Sequence, residues 1–166
     1  MHAFVSYPYI DDSEFDDVTE FVRGLRQELR MRESDSVVFQ SGDGPRVASN
    51  LTALLQGQIA ACDVFMPILA PAYFQSQWCM NEMRMFRQEK QRRPDLLLVP
   101  VRWIDFPVEG YATRFDVAEI AEAIYFDWAE CRLLGYDAVE SRKMLARFAA
   151  TLCDLTQGRT PRAPDA

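Results

Sequence analysis

The chain has very little histidine and no paired cysteines. His2 is the only histidine in 166 residues, and it stands at the extreme N-terminus. The sequence therefore argues against a mechanism built on a Ser-His-Asp or Cys-His arrangement. The four cysteines, Cys62, Cys79, Cys131 and Cys153, are widely spaced and form no CxxC pair. This spacing indicates reduced, mostly structural thiols in a cytoplasmic protein, with neither a metal site nor a disulfide framework.

The chain also lacks an excess of basic residues and any long apolar run. Lysine and arginine number 18 against 25 aspartates and glutamates, which leaves a net charge of −7. This balance argues against nucleic acid or an anionic membrane as the main partner. No stretch approaches the roughly 20 apolar residues of a membrane helix, and the N-terminus does not read as a signal peptide. With 49% hydrophobic residues, we expect one domain with a substantial core.

Short apolar runs alternate with longer amphipathic segments along most of the chain. The apolar runs predict five strands, at residues 3–7, 36–40, 63–70, 96–104 and 123–128. The amphipathic segments predict helices at residues 11–30, 48–62, 74–93 and 138–156. Because the strands are apolar throughout and helices connect them, we predict a flavodoxin-like three-layer α/β sandwich whose five-stranded parallel sheet has the order 2-1-3-4-5. Pro67, inside the third strand, is typical of an edge strand or a bulge.

The loops after the first three strands are the expected ligand site, because ligands of such sheets bind outside the carboxyl ends of the strands. Common phosphate motifs are missing there: no GxGxxG follows strand one, and GDGPR at residues 42–46 lacks the Lys-Ser/Thr of a P-loop. Asp11 and Asp12 follow strand one as acids do in response-regulator receivers. Strand three, however, ends in Ala70, where a receiver needs a phosphoacceptor aspartate. The sequence therefore favours neither a dinucleotide-binding fold, nor a P-loop protein, nor a response-regulator receiver.

One carboxylate stands in an unusually apolar segment, FQSQWCMNEMRMF at residues 74–86. On a helix, Cys79, Met83 and Phe86 form a buried stripe, and Glu82 lies at its margin, one turn from Trp78. Two interpretations are open. Glu82 is either a partly exposed helix residue whose stem covers apolar surface, or a functional carboxylate beside an indole.

Four boxes of the sequence occur in the order and spacing of one known family. They are FVSY at residues 4–7, VF leading into a loop with glycine and proline at 38–45, DVF at 63–65, and PAYFQSQWCMNE at 71–82. The last box is similar to the S-P-x-Y-x-x-S-x-W-C-x-x-E signature of the Toll/interleukin-1 receptor (TIR) domain family. The chain resembles that family, in its NAD-cleaving bacterial-type branch, over almost its whole length. We expect a TIR domain over residues 1–157, and a disordered tail or the start of a linker over 158–166.

The resemblance implies an activity and a set of site residues. In the enzymatic branch, the glutamate of the last box is the catalytic residue of NAD glycohydrolases and ADP-ribose cyclases, and this role falls on Glu82. NAD+ would be the substrate, and no cofactor is implied. The residues that would bind NAD+ by similarity are Ser6, Tyr7, Phe39, Asp43, Arg46 and Trp78. The resemblance also implies partners, other TIR domains in a homo-oligomer or filament, and a role in signalling or antiphage defence.

A single carboxylate is chemically sufficient for this reaction. Glycoside hydrolases normally use two carboxyl groups, one of which protonates the leaving oxygen. The nicotinamide of NAD+ is already cationic and leaves as a neutral base, so one carboxylate that stabilises the oxocarbenium-like transition state is enough. The product stays open among ADP-ribose, a cyclic isomer and a base-exchanged dinucleotide.

The sequence departs from the family at several positions, and other functions stay open. Ala70 stands where the family often has serine, Pro8 where a polar or basic residue is common, and Gln40 and Ser41 where a loop acid is frequent. Tyr73 is expected to pack in the core. Two alternatives to NAD cleavage are a non-catalytic TIR scaffold and an enzyme similar to a nucleoside deoxyribosyltransferase.

Overall fold

A computed structural model of the protein describes residues 1–8, 16–41, 51–105 and 126–159. Within these ranges the strands are β1 His2–Ser6, β2 Val37–Gln40, β3 Val64–Leu69, β4 Leu97–Leu98, β5 Val101–Arg102 and β6 Phe126–Asp127. The helices are α1 Asp16–Arg32, α2 Leu51–Ala61, α3 Pro71–Gln75, α4 Gln77–Arg92, α5 Ala129–Leu134 and α6 Val139–Thr156.

All strand pairs are parallel, and the sheet has the order β2-β1-β3-β5-β6, with β4 beside β3. This confirms the prediction of a parallel α/β sandwich of the flavodoxin-like class. The predicted number of strands is wrong by one, because the segment predicted as strand four at 96–104 forms both β4 and β5. When the two are counted as one interrupted strand, the observed order matches the predicted 2-1-3-4-5.

Pro67 accounts for the interruption between β4 and β5. β3 pairs with β4 at Val64 and Phe65, and with β5 at Ile68 and Leu69. Between these two ladders lies Pro67, which has no amide hydrogen to donate. Pro100 lies between β4 and β5, but its nitrogen faces away from β3, toward the side on which its carbonyl accepts from the Phe126 amide at 2.9 Å. The expectation that Pro67 marks an edge strand or a bulge is therefore wrong, because β3 is central and its ladder is interrupted there.

Helices cover both faces of the sheet and enclose two apolar cores. Successive strand residues point to opposite faces, so Ala3 and Val5 belong to the first core and Phe4 to the second. The first core lies under α1 and α6, and the second lies under α2, α3 and α4. In the second core Phe65 stacks on Phe86 of α4, with ring centroids 4.7 Å apart. This packing confirms the apolar stripe predicted for α4.

Several helix boundaries differ from the prediction. The helix predicted at 74–93 is two helices, because Ser76 ends α3 and caps α4, where its Oγ accepts a hydrogen bond from the Cys79 amide at 3.3 Å. The short helix α5 was not predicted, whereas the final helix predicted at 138–156 is confirmed as α6. The first residues of the strand predicted at 123–128 lie outside the described ranges, and β6 is described from Phe126.

Two further features of the described ranges concern the cysteines and the length of the helices. Cys62, Cys79, Cys131 and Cys153 are all buried and unpaired, as expected of structural thiols. In the described ranges, no helix combines the length and the apolar character needed to cross a bilayer.

Candidate functional site

Glu82 lies inside the protein. It occupies the second turn of α4, and its side chain points into the molecule together with Cys79, Met83 and Phe86. Only 1% of Glu82 is exposed to solvent. The interpretation of Glu82 as a partly exposed residue at the margin of the stripe is therefore wrong. A charged side chain at such depth requires partners that offset the loss of water.

The partners are two serines at the ends of adjacent strands. Ser6, the last residue of β1, donates a hydrogen bond from Oγ to Glu82 Oε2 at 2.5 Å. Ser41, the first residue after β2, donates from Oγ to Glu82 Oε1 at 2.5 Å. The two strands are parallel and pair Val5 with Gln40, so both serines reach the same edge of the sheet. Each carboxylate oxygen thus receives its own hydroxyl group.

Each serine is itself held by an aromatic side chain. Trp78 donates its indole N–H to Ser41 Oγ at 3.0 Å, and the Tyr73 hydroxyl lies 3.1 Å from Ser6 Oγ. An indole nitrogen can only donate, so the hydrogen of Ser41 is committed to Glu82. The hydrogen of Ser6 is likewise committed to Glu82, which makes Tyr73 the donor of its pair. Two chains of donors therefore converge on one carboxylate, and every hydrogen points toward it.

The electrostatics of this network centre on Glu82. Burial raises the pKa of Glu82 from its ordinary 4.5 to about 7, and the hydrogen bonds from Ser41, Ser6 and Trp78 oppose this rise. Burial also raises the pKa of Cys79 to about 12 and lifts the pKa of Tyr73 well above its ordinary value. Tyr73 and Cys79 are therefore neutral at physiological pH. Glu82 is the member of the group whose charge changes near neutrality.

The other residues expected to bind substrate are only partly gathered around Glu82. Tyr7 packs against the first core, under α1 and α6, and its hydroxyl accepts a hydrogen bond from Gln40 at 2.8 Å. Phe39 packs against the second core, which contains Glu82's helix. Asp43 and Arg46 lie outside the described residues. Of the predicted site residues, the structure thus joins Ser6 and Trp78 directly to the environment of Glu82.

Two members of the network were missed by the sequence reasoning. Ser41 was noted only as a departure from a loop acid, and Tyr73 only as a core residue. The sequence did contain a signal for Ser41. Ser6 ends strand one, and Ser41 directly follows strand two. Because these neighbouring strands are parallel, both serines lie at the same edge of the sheet. The role of Tyr73 had no such signal, because a buried tyrosine that packs and one that donates a hydrogen bond look alike in a sequence.

The donor set does not resemble a metal centre. In the portion of the chain that the structure describes, no three histidine, cysteine, aspartate or glutamate side chains come together as metal ligands would. What the arrangement offers is one carboxylate in a low-dielectric environment, held in a fixed orientation. Such a group can stabilise a developing cation or accept a hydrogen bond from a ligand hydroxyl.

Comparison with known protein families gives a match, and the matched range includes the residues of this network. A sequence model of the family described as TIR domain matches residues 4–132, a range that contains both serines, both aromatic residues and Glu82. No curated protein matches the chain in sequence. The matched range covers well over half of the 166 residues, so the chain belongs to the TIR domain family.

Proposed function

We propose that the protein cleaves NAD+ at the bond between nicotinamide and ribose, as a glycohydrolase or a cyclase, with Glu82 as the catalytic carboxylate. The observation that carries the proposal is the converging network, in which Ser6 and Ser41 each donate a hydrogen bond to a carboxylate that is 1% exposed. The network lies at the carboxyl ends of β1 and β2, the edge at which ligands of parallel sheets bind.

The proposed chemistry uses the negative charge of Glu82. The bond between ribose C1′ and the nicotinamide nitrogen breaks, its electron pair leaves with the base, and positive charge develops on the ribose. A carboxylate in a site of low dielectric attracts that charge more strongly than the same group in water. Attack by water then gives ADP-ribose and a proton, and attack by the adenine of the same molecule gives a cyclic isomer.

NAD+ is a substrate in this proposal, and no separate cofactor is needed. Trp78 and Ser6 are already placed beside Glu82, and Phe39 lies on the same side of the sheet. We assign nucleotide binding to these residues, together with Tyr7, Asp43 and Arg46. The assignment of Asp43 and Arg46 rests on the family resemblance.

Self-association is the second part of the proposal. TIR domains commonly associate with one another, and we propose that this one is activated as a cytoplasmic homo-oligomer or filament, in signalling or antiphage defence. Cleavage should then rise more steeply than in proportion to protein concentration.

One feature favours a different function, a non-catalytic interaction module. Both oxygens of Glu82 already accept hydrogen bonds from the protein, so the group is satisfied without a ligand. A structural role for Glu82 would leave NAD+ intact at every protein concentration. The two functions are therefore separated by whether nicotinamide is released.

The test is nicotinamide release from NAD+ at low and high protein concentration, for the wild type and Glu82→Gln. The matched control is Glu89→Gln, which changes a carboxyl group on the same helix that pairs with Arg92 at 3.5 Å. We expect release by the wild type and the control, and its loss in Glu82→Gln. Equal release by all three would remove Glu82 from the mechanism. Cleavage of deoxynucleosides with NAD+ left intact would support the deoxyribosyltransferase alternative.

A further inference from the structure

The network around Glu82 has one side that faces solvent and one that does not. Ser6 and Tyr73 are completely buried, and Ser41 is 2% exposed. Trp78, by contrast, is half-buried and is the partly exposed member of this group of five. Within this group, the hydrogen-bonded pair that reaches toward solvent is therefore Trp78 with Ser41. The oxygen on that side of the carboxylate is Oε1.

The two serines also differ in how they are held. Ser6 belongs to β1, which lies between β2 and β3, and it is paired in register with Pro67. Ser41 lies just beyond β2, the edge strand, and its amide donates to the Val5 carbonyl at 2.8 Å. The Ser41 hydroxyl can therefore leave Oε1 by rotation about χ1 while its backbone stays in place.

We propose that Ser41 is a placeholder, whose hydroxyl occupies on Glu82 Oε1 the position that a hydroxyl of the substrate takes during the reaction. This inference rests on the proposed NAD+ cleavage. Ser6 stays on Oε2 throughout and orients the carboxylate, so Ser6 and Ser41 have different roles despite their equal distances from Glu82.

The exchange conserves the hydrogen bonds of the carboxylate. In the free protein, Oε1 accepts from Ser41, and in the complex it accepts from a ribose hydroxyl of the substrate. A substrate without a hydroxyl at this point cannot replace the hydrogen bond from Ser41, so Ser41 stays on Oε1 and the sugar is not held against the carboxylate. The placeholder thus selects a substrate with a ribose hydroxyl next to the bond that breaks, and it disfavours a 2′-deoxy sugar.

The experiment compares Ser41→Ala with Ser6→Ala in steady-state nicotinamide release, measured from pH 5 to pH 9 at several protein concentrations. Ser141→Ala is the control, because Ser141 is also a buried serine, and its hydroxyl donates to the Cys131 carbonyl on the other face of the sheet. Thermal unfolding of each variant shows whether it is folded under the assay conditions.

We expect the loss of either hydroxyl to move the midpoint of the pH profile of kcat/KM upward, since kcat/KM reports the free enzyme, in which each hydroxyl favours the ionised carboxylate. On the alkaline plateau, Ser41→Ala should keep kcat within about threefold of the wild type with an equal or lower KM. Ser6→Ala should lose about tenfold or more in kcat, as expected when a hydrogen bond to a charged group is removed. Ser141→Ala should match the wild type in both constants.

A plateau kcat of Ser41→Ala that falls as far as that of Ser6→Ala would show that Ser41 acts in the transition state, which would overturn the placeholder role and leave the proposed function standing. Absence of nicotinamide release by the wild type at every concentration would overturn both proposals. Equal nicotinamide release by the wild type and by Glu82→Gln would also overturn both proposals.

Discussion

Replacing Glu82 with glutamine should make the protein more stable at alkaline pH and change it little at acid pH. The substitution keeps the shape of the side chain and removes its ionisation. The groups that face this side chain are Ser6, Ser41, Tyr73, Trp78 and Cys79. Tyr73 and Cys79 stay neutral up to alkaline pH because burial raises the pKa of each. The change with pH should therefore come from Glu82.

The magnitude follows from the pKa of Glu82 in the folded and unfolded states. The folded pKa of about 7 lies above the ordinary value of 4.5. A carboxyl group with a raised folded pKa contributes its full stability below the unfolded pKa, and this contribution is lost as the pH rises through the folded pKa. At about 1.36 kcal/mol per pKa unit, the loss between pH 4.5 and pH 7 amounts to about 3 kcal/mol. Glutamine at this position avoids that loss.

Urea unfolding of the wild type and Glu82→Gln between pH 4 and pH 8.5 measures the effect. Other carboxyl groups also titrate in this range, so the informative quantity is the difference between the two proteins in free energy of unfolding. That difference should shift by about 3 kcal/mol in favour of the variant across the window. Glu89→Gln, the control on the same helix, should show no comparable shift. A difference for Glu82→Gln that stays constant with pH would refute the reasoning, because it would mean that Glu82 ionises normally in the folded state.

Three further outcomes are expected. Nicotinamide release should increase with pH through a midpoint near 7, because the ionised form of Glu82 is the active one in the proposed reaction, and a rate that falls across that range would contradict it. Tyr73→Phe should lower the free energy of unfolding by about 1 kcal/mol in urea titrations, because Ser6 loses its donor; an unchanged value would mean that this hydrogen bond contributes nothing. Gly24→Ala should lower the melting temperature although alanine favours helices, because its Cβ would lie 1.7 Å from the Tyr136 hydroxyl oxygen. The double variant with Tyr136→Ala should recover part of that loss, and a stabilised single variant would show that Tyr136 moves aside freely.

The fold was predictable because its pattern is carried by local runs of residues. β1 and β3 are continuously apolar, and amphipathic segments follow them, so the parallel sheet could be predicted without tertiary information. The interruption between β4 and β5 could not be placed in the same way. It depends on which residues of a strand more than 30 positions away lie opposite Pro67, and a register of that kind is set by packing.

The candidate site was predictable in part, for a related reason. The position of Glu82 beside Trp78 follows from helical spacing, and the family resemblance supplied its proposed role. The complete burial of Glu82 depends on how closely α4 packs against the sheet. The spacing of residues along the helix does not predict that distance. Ser41 reaches Glu82 only because β1 and β2 end together, so its contribution depends on the register of two strands.

Stability alone does not explain a glutamate at position 82. A glutamine of the same shape could accept a hydrogen bond from one serine and donate one to the other, with no charge to bury. The glutamate instead lowers the stability of the folded state by about 3 kcal/mol above pH 7, a sizeable fraction of the 5–15 kcal/mol that typically separates folded from unfolded proteins. Two serine hydroxyls donate to this carboxylate and oppose the rise of its pKa, so that it ionises near neutrality. A buried carboxylate whose ionisation lowers stability is better explained by catalysis than by packing, and this supports the proposed enzyme over the scaffold.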